Sequence, residues 1–483
     1  MVVLSVSTMK TLVIGAGEAG TMVVNRMLAG DWDMPGIPVA VVDDDCSKIG
    51  GEISGVCIAG NRLDIPRLVH ELDISQVVFA IPSAKHRDRE SIYEICLSAG
   101  VRVLTLPNIL GTPIEKIGRV PFRPVDARDL LARDEVILDT GLVSSYVSNK
   151  TILVTGGGGS IGSELCRQLV ETAPKRIIIF DIYENTAYEL LRELSEACAD
   201  SPVELIVEIG SVRDQDRLKT LFAQYRPDVV FHAAAHKHVP LMERNPREAV
   251  LNNVVGTLNV VRCAQEYHCE RFVLISTDKA VNPTNVMGAT KRICEMIIQH
   301  YGSVSNTVYT AVRFGNVLGS HGSVIPLFRR QIEQGGPVTV TDPNITRYFM
   351  TIPEAARLVI QAGGMATGGE IFILDMGKPV KIADLADKLI RLSGYTPNVD
   401  IKIEYTGLRP GEKMYEELMM DSEGTVPTSC PDITVSVARP IYGDKINELV
   451  AELEELARNG TNEVIKRGLK SIVPTYTYKD ADV

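Results

Sequence analysis

Twice in this chain an apolar run ends in a glycine-rich turn and gives way to an amphipathic stretch. The first instance is Lys10-Thr-Leu-Val-Ile14, then Gly15-Ala-Gly17-Glu-Ala-Gly20, then Thr21 to Leu28. The second is Thr151-Ile-Leu-Val-Thr155, then Gly156-Gly-Gly-Gly159-Ser-Ile-Gly162 at the start of a helix. Strand, glycine loop and helix together open a βαβ unit, in which glycines let the backbone approach a phosphate at a helix N-terminus. Two such openings in 483 residues predict two domains rather than one core. The expected class is α/β, with two Rossmann-like, doubly wound parallel sheets. The expected boundaries are 9–118 for the first domain, 119–150 for a connector, 151–430 for the second domain and 431–483 for a tail with one helix, Lys445 to Gly460.

In the first domain a strand at Val39–Val42 ends in Asp43-Asp44-Asp45, and strands at Val77–Ile81 and Val101–Leu104 flank a helix from Arg87 to Ala99. The glycine turn there serves either a nucleotide or packing alone, and the sequence leaves both readings open. Pro121 and Pro124 break the connector, and Asp126–Ala132 is read as one short helix. The net charge of −11 gives no bulk attraction to nucleic acid or anionic lipid, so any phosphate site must be local. Nine cysteines from Cys46 to Cys430, with no CxxC pair, point to a reducing compartment and away from a disulfide framework or zinc site. No run of 18 apolar residues is present.

The second glycine loop carries Gly156, Gly159 and Gly162, and Ser160 and Ile161 would offer backbone N–H groups to a pyrophosphate. The following strand, Arg176–Phe180, ends in Asp181, whose carboxylate can bond both ribose hydroxyls and repel a 2′-phosphate. No arginine lies in Ile182–Asn185, so NAD is expected rather than NADP. Strands at Val203–Ile209 and Asp228–Phe231 lead to Gly210-Ser211-Val212 and to His232-Ala-Ala-Ala-His236-Lys237-His238. The alanines let a loop lie flat against a cofactor. Three histidines without a positioned carboxylate do not make a metal site, and no metal is expected.

The next strand, Arg271–Ser276, delivers Thr277, Asp278 and Lys279 side by side at its carboxyl end, where ligands bind in open parallel sheets. After a turn at Asn282–Asn285 a helix carries Met287 and Lys291, four apart and on one face. The triplet is either a strand-end ion pair or a site of chemistry. Arg347, Arg409 and Lys413 lie on loops after the last strands and suit a diphosphate clamp.

Residues 150–425 resemble the extended short-chain dehydrogenase/reductases that act on nucleotide sugars. More closely, TGGGGSIGSEL (155–165), AAAHKHVPLME (233–243), NNVVGTLNV (252–260), STDKAVNPTNVMGATKR (276–292), RFGNVLGSHGSVIPLF (313–328) and GLRPGEKMYEEL (407–418) resemble the UDP-N-acetylglucosamine 4,6-dehydratases of the polysaccharide-biosynthesis family. The resemblance implies a small C-terminal substrate-binding subdomain, bound NAD, a UDP-N-acetylglucosamine substrate, a homo-oligomer and no nucleic-acid partner. The first domain and connector are similar to the soluble part of long, membrane-anchored members, which carry membrane-spanning helices ahead of it. This sequence has none, so a naturally soluble or truncated form is expected. The expected location is cytoplasmic, at the inner face of the membrane where such a region is present.

One departure stands out. Most of the wider superfamily uses Tyr-x-x-x-Lys, whereas here the pair is Met287 and Lys291, as in the long dehydratases. The roles implied are Lys279 as base at sugar C5, Asp278 as the acid at O6 and acceptor of the O4 proton, Thr277 bonded to O4, and Lys291 on the nicotinamide ribose. Asn253, Ala233, Ala234, Ser211 and Val212 would line the cofactor, with Ser211-Val212 standing where many relatives have Asp-Val. Arg347, Arg409 and Glu412 would hold the uridine diphosphate, with Asn316, Ser323, Val324 and Pro326 nearby and Lys237 near the sugar. A UDP-sugar 4-epimerase and a non-catalytic nucleotide-binding protein are the alternatives.

Overall fold

The computed structural model describes residues 9–30, 36–106, 122–125, 129, 131, 138–199, 201–320, 322–420, 423–436 and 442–478. The chain divides into two compact units. Met1–Asp134, Gly322–Val340 and Ile382–Tyr405 form one, and Glu135–His321, Thr341–Lys381 and Thr406–Val483 form the other.

In the first unit the Lys10–Ile14 strand is buried from its second residue onward. It pairs in parallel with Ile37–Val42 on one side and Gln76–Phe79 on the other, inside a seven-stranded sheet. Helices Glu18–Leu28 and His86–Ser98 cover the sheet with separate apolar clusters, around Val23 and Val24 and around Ile92 and Tyr93. The glycine turn is forced by packing. Gly15 has φ +106°, and a Cβ on Gly20 would lie 1.8 Å from the Gly15 carbonyl oxygen. Asp43 accepts from the Ala16 N–H at 2.6 Å and from Lys48 at 3.2 Å, so the carboxylate ties the loop down. The short helix expected at Asp126–Ala132 lies largely outside the described residues. The unit also takes in the helices Val324–Glu333 and Ile382–Leu392, and the parallel pair Val338–Val340 with Ile403–Tyr405.

The second unit is built on a nine-stranded sheet. In spatial order its strands are Glu204–Ile209, Arg176–Asp181, Thr151–Thr155, Val229–His232, Arg271–Ile275, Val308–Arg313, Glu370–Leu374, Ile433–Ser436 and Thr425–Pro427. The first seven run parallel, Ile433–Ser436 adds antiparallel to them, and Thr425–Pro427 pairs antiparallel with Ile433–Ser436 at the edge. The order reverses between Thr151–Thr155 and Val229–His232, which opens a crevice at their carboxyl ends. The central strands are buried on both faces, as their continuous Val, Ile and Phe content requires.

The helix Val286–Val304 is buried along nearly its whole length. The reason is the C-terminal segment. Residues 431–483, expected as a tail with one helix, supply the strand Ile433–Ser436 and two helices, Lys445–Asn459 and Asn462–Ile472. Ile446, Val450, Leu453, Ile465 and Leu469 share one apolar cluster with Met287, Ile293 and Ile297. The second of these helices, capped by the Thr461 side chain on the Val464 N–H, was not anticipated from periodicity. Among the described residues no helix is long and apolar enough to cross a membrane.

Candidate active site

The second glycine loop lies directly on the segment that follows the Val229–His232 strand. Gly156 has φ +66°, and a Cβ there would come within 2.7 Å of the Ala234 backbone nitrogen. A Cβ on Gly162 would lie 2.1 Å from the Gly156 carbonyl oxygen, so only glycine lets the helix start this close to its strand. Gly159 is the cap residue of the helix Ser160–Val170 and offers no side-chain bond, leaving a helix N-terminus suited to an anion. Asp181 ends its strand with Oδ2 accepting from the Gly158 N–H at 2.9 Å and Oδ1 from the Tyr183 N–H at 2.9 Å. It forms no ion pair among the described residues.

Around this cradle the neighbouring residues are held by side-chain clamps. Asn253 accepts from the His236 N–H at 2.8 Å and donates to the His236 carbonyl and to Thr290 Oγ1, each at 3.1 Å. Its amide therefore fixes the alanine loop. Val212 is buried against Gly256, and its carbonyl accepts from Asn259 at 3.2 Å. Ser211 accepts from the Arg213 N–H at 3.2 Å. His232 bridges Thr155 and Thr257 at 2.7 and 3.0 Å. Burial, with the charge of Lys291 adding to it, pushes the His232 pKa down to about 3, so the ring is a neutral core group. Lys237 is exposed on the same loop.

Thr277, Asp278 and Lys279 follow the Arg271–Ile275 strand, and Asp278–Ala280 forms a 3₁₀ turn that sequence periodicity did not reveal. Asp278 is fully buried. Its Oδ1 accepts from Thr277 Oγ1 and from Lys279 Nζ, both at 2.9 Å. Lys279 Nζ also donates to Asn316 Oδ1 at 3.2 Å. Burial would lower the Lys279 pKa, but the carboxylates of Asp278 and Glu416 outweigh it and raise it. Met287 and Lys291 lie one turn apart at the start of the buried helix, both nearly inaccessible, and burial lowers the Lys291 pKa.

The expected diphosphate cations divide by environment. Arg347 is buried, and its guanidinium donates to the carbonyls of Thr346, Lys413 and Met414 at 2.7, 2.8 and 3.2 Å and to Glu412 Oε1 at 3.3 Å. Glu412 Oε2 accepts from the Arg409 N–H at 3.1 Å, while the Arg409 side chain is exposed. Lys413 donates to the Val281 carbonyl at 2.9 Å and pairs with Glu417, which ties the 407–418 loop to the end of the Asp278–Ala280 turn. Ser323, Val324 and Pro326 belong to the other unit, where Ser323 stands just before the helix Val324–Glu333 and makes no side-chain capping bond.

Three features escaped the sequence reading. Glu416 reaches Lys279 and Arg347, at 3.5 and 3.9 Å. It lies in the same GLRPGEKMYEEL stretch as Glu412, but nothing in the spacing marked it as the buried one. Gly288 lets the helix start against the turn, since a Cβ there would lie 2.1 Å from the Lys279 carbonyl oxygen. Beneath Ser276, Arg292, Glu295, Arg313 and Glu423 form a buried charge network.

Residues 152–438 match a family model described as polysaccharide biosynthesis protein. A capsular polysaccharide biosynthesis protein of Staphylococcus aureus is 52% identical over 415 residues, spanning 86% of this chain and 69% of that one. A UDP-N-acetylglucosamine 4,6-dehydratase (inverting) of Campylobacter jejuni is 36% identical over 281 residues, 57% of this chain and 79% of that one. The X-ray structure of Pen from Bacillus thuringiensis superposes with a TM-score of 0.56 at 38% identity, covering 61% of this chain and 91% of that one.

Proposed function

The chain belongs to the polysaccharide biosynthesis protein family, and from that footing we propose that it is a nucleotide-sugar 4,6-dehydratase acting on UDP-N-acetylglucosamine with NAD. The observation that carries the reading is the Thr277–Asp278–Lys279 cluster at the end of a central strand, with its acid and amine 2.9 Å apart beside a helix that has Met287 in place of a phenol. An acid and a base this close serve an elimination, which must take one proton and supply another. A 4-epimerase has no use for a base at C5.

The residues present suit a dinucleotide. The Gly156–Gly162 turn needs glycine at its closest approaches, which leaves backbone N–H groups at a helix N-terminus for a pyrophosphate, and Asp181 sits at the second strand's end and forms no ion pair among the described residues. Bound NAD would supply an acceptor and later a donor of hydride. Asp278 takes the proton of the sugar O4 hydroxyl and passes it to the departing O6, so that water leaves. Lys279 takes the C5 proton and returns it to C5 once C6 has been reduced. Protons balance over a turnover without a second reductant. Thr277 bonds O4, replacing part of the lost phenol's contact. Lys291 bonds the nicotinamide ribose and adds positive potential beside the forming oxyanion. Arg409 reaches the uridine diphosphate from a loop that Arg347 and Glu412 brace through its backbone. Incubation with UDP-N-acetylglucosamine in deuterated water, read by mass and NMR, tests the proposal. A product of unchanged mass apart from exchange would favour the epimerase, and no product despite bound NAD would favour a non-catalytic role.

A further inference from the structure

Lys279 is held between two carboxylates from different parts of the chain, and they are not equivalent. Asp278 Oδ1 accepts two hydrogen bonds, from Thr277 and Lys279, while its Oδ2 is buried with no partner among the described residues. Glu416 is 8% exposed, its Oε1 stands 3.5 Å from Lys279 Nζ and 3.9 Å from Arg347 Nε, and its Oε2 is buried with no hydrogen-bond partner among the described residues. Each acid thus has one bare buried oxygen, but only Asp278 has its charge met by hydrogen bonds, and a buried carboxylate without such donors favours the neutral acid. This matters because an ammonium cannot take a proton from carbon. With Asp278 and Glu416 both ionised, Lys279 is held in the form that cannot act.

Resting on the dehydratase reading, we propose that Glu416 takes the surplus proton of Lys279 when the sugar fills the site, so that an ion pair becomes a neutral amine beside a neutral carboxylic acid. One N–H bond of the ammonium breaks and its electron pair stays on nitrogen. One O–H bond forms on the Glu416 carboxyl. The net charge of the pair stays at zero, and no other reactant is needed. The freed lone pair is the one that removes the C5 proton, and returning that proton to C5 restores the amine. Glu416 thus acts through Lys279 and is a positioning residue, not one that touches the sugar. The charged groups facing it are Asp278 and Lys279 on the catalytic turn, Arg347 on its strand and Lys413 on its own loop. Burial raises the Glu416 pKa and the charge of Asp278 adds to it. Lys279, Arg347 and Lys413 oppose the rise without cancelling it, so the carboxylate is a readier acceptor than an exposed one.

The test compares wild type with E416Q, whose amide keeps the shape and cannot accept the proton. At neutral pH kcat for water loss should fall by about 100-fold, with C5 deuterium exchange falling in parallel and KM nearly unchanged. With glutamine the ammonium must lose its proton to solvent, so kcat of E416Q should climb with pH where that of the wild type is flat. E416D should restore the flat profile. Infrared difference spectra on binding a 4-deoxy UDP-sugar analogue read the proton without turnover. A protonated-carboxyl band should appear in wild type and be absent from E416Q. Wild-type turnover by E416Q, a loss equal at every pH, or the same band in both proteins would overturn the proposal. Should E416Q fail to fold, E416D decides: its band should shift, and an unshifted band assigns the proton elsewhere and ends the idea. A wild-type protein that releases no water sinks the dehydratase reading instead.

Discussion

Glu295 and Arg313 meet in a two-point ion pair, Nε to Oε1 at 3.1 Å and Nη2 to Oε2 at 2.9 Å, with both side chains closed to solvent. Ser276 donates to the same Glu295 Oε1 at 2.7 Å, so the pair anchors the residue immediately before the Thr277–Asp278–Lys279 triplet. Removing one partner of a buried pair leaves the other uncompensated. Glu295→Gln should therefore cost about 3–5 kcal/mol in denaturant unfolding. The pH dependence has a definite sign. Burial would raise the Glu295 pKa, but Arg313 and Arg292 override it and bring it down from 4.5 to about 2. A depressed carboxyl stabilises the fold fully above its unfolded value and loses that contribution as pH falls. Thermal melts between pH 4.5 and 2 should therefore decline more steeply for wild type than for Glu295→Gln, and parallel declines would refute the assignment.

Gly288 governs how closely the helix approaches the Lys279 turn. Alanine is normally better than glycine inside a helix by roughly 0.5–1 kcal/mol. Here its Cβ would lie 2.1 Å from a backbone oxygen, which cannot swing aside. Gly288→Ala should destabilise the fold by about 1–3 kcal/mol and displace Lys279. A combined calorimetric and turnover measurement checks this. A variant that is more stable and fully active would show that the close approach is not needed.

Asp278 and Lys279 are expected to carry the proton transfers. Asp278→Asn and Lys279→Met should each lower water release by at least about 100-fold while UDP-sugar binding persists. Isothermal titration measures the binding and mass spectrometry the released water. Wild-type turnover in either variant would remove that residue from the mechanism.

Asp181 holds the Gly158 N–H, and the proposed second task of its carboxylate is to bond a ribose. Asp181→Asn should weaken NAD binding by roughly tenfold, a loss of about 1.4 kcal/mol, and narrow the preference over NADP. Fluorescence titration with both cofactors gives the ratio, and an unchanged ratio would mean that the carboxylate serves the loop alone.

Much of the scaffold was legible because it is local. The Thr151–Thr155 strand was found at its observed bounds, and others to within a residue, since unbroken apolar runs ending in glycine or charge admit few alternatives. The triplet at a strand's end was legible for the same reason. Glu416 and the second C-terminal helix were not, because each owes its place to a partner far away in the chain, and Gly288 was not, because its close approach depends on how the helix folds back onto the Lys279 turn.

By itself the sequence determined two glycine-cradled parallel sheets and which side chains stand at their strand ends, since alternation, apolar runs and turn chemistry act over a few residues. Only the tertiary structure decided which of several glutamates is buried against Lys279, and that Arg347 is wrapped in backbone carbonyls while Arg409 is left in water. The physical reason is desolvation. A charge acquires its chemical character from what surrounds it, and those surroundings are assembled from segments that no local pattern connects.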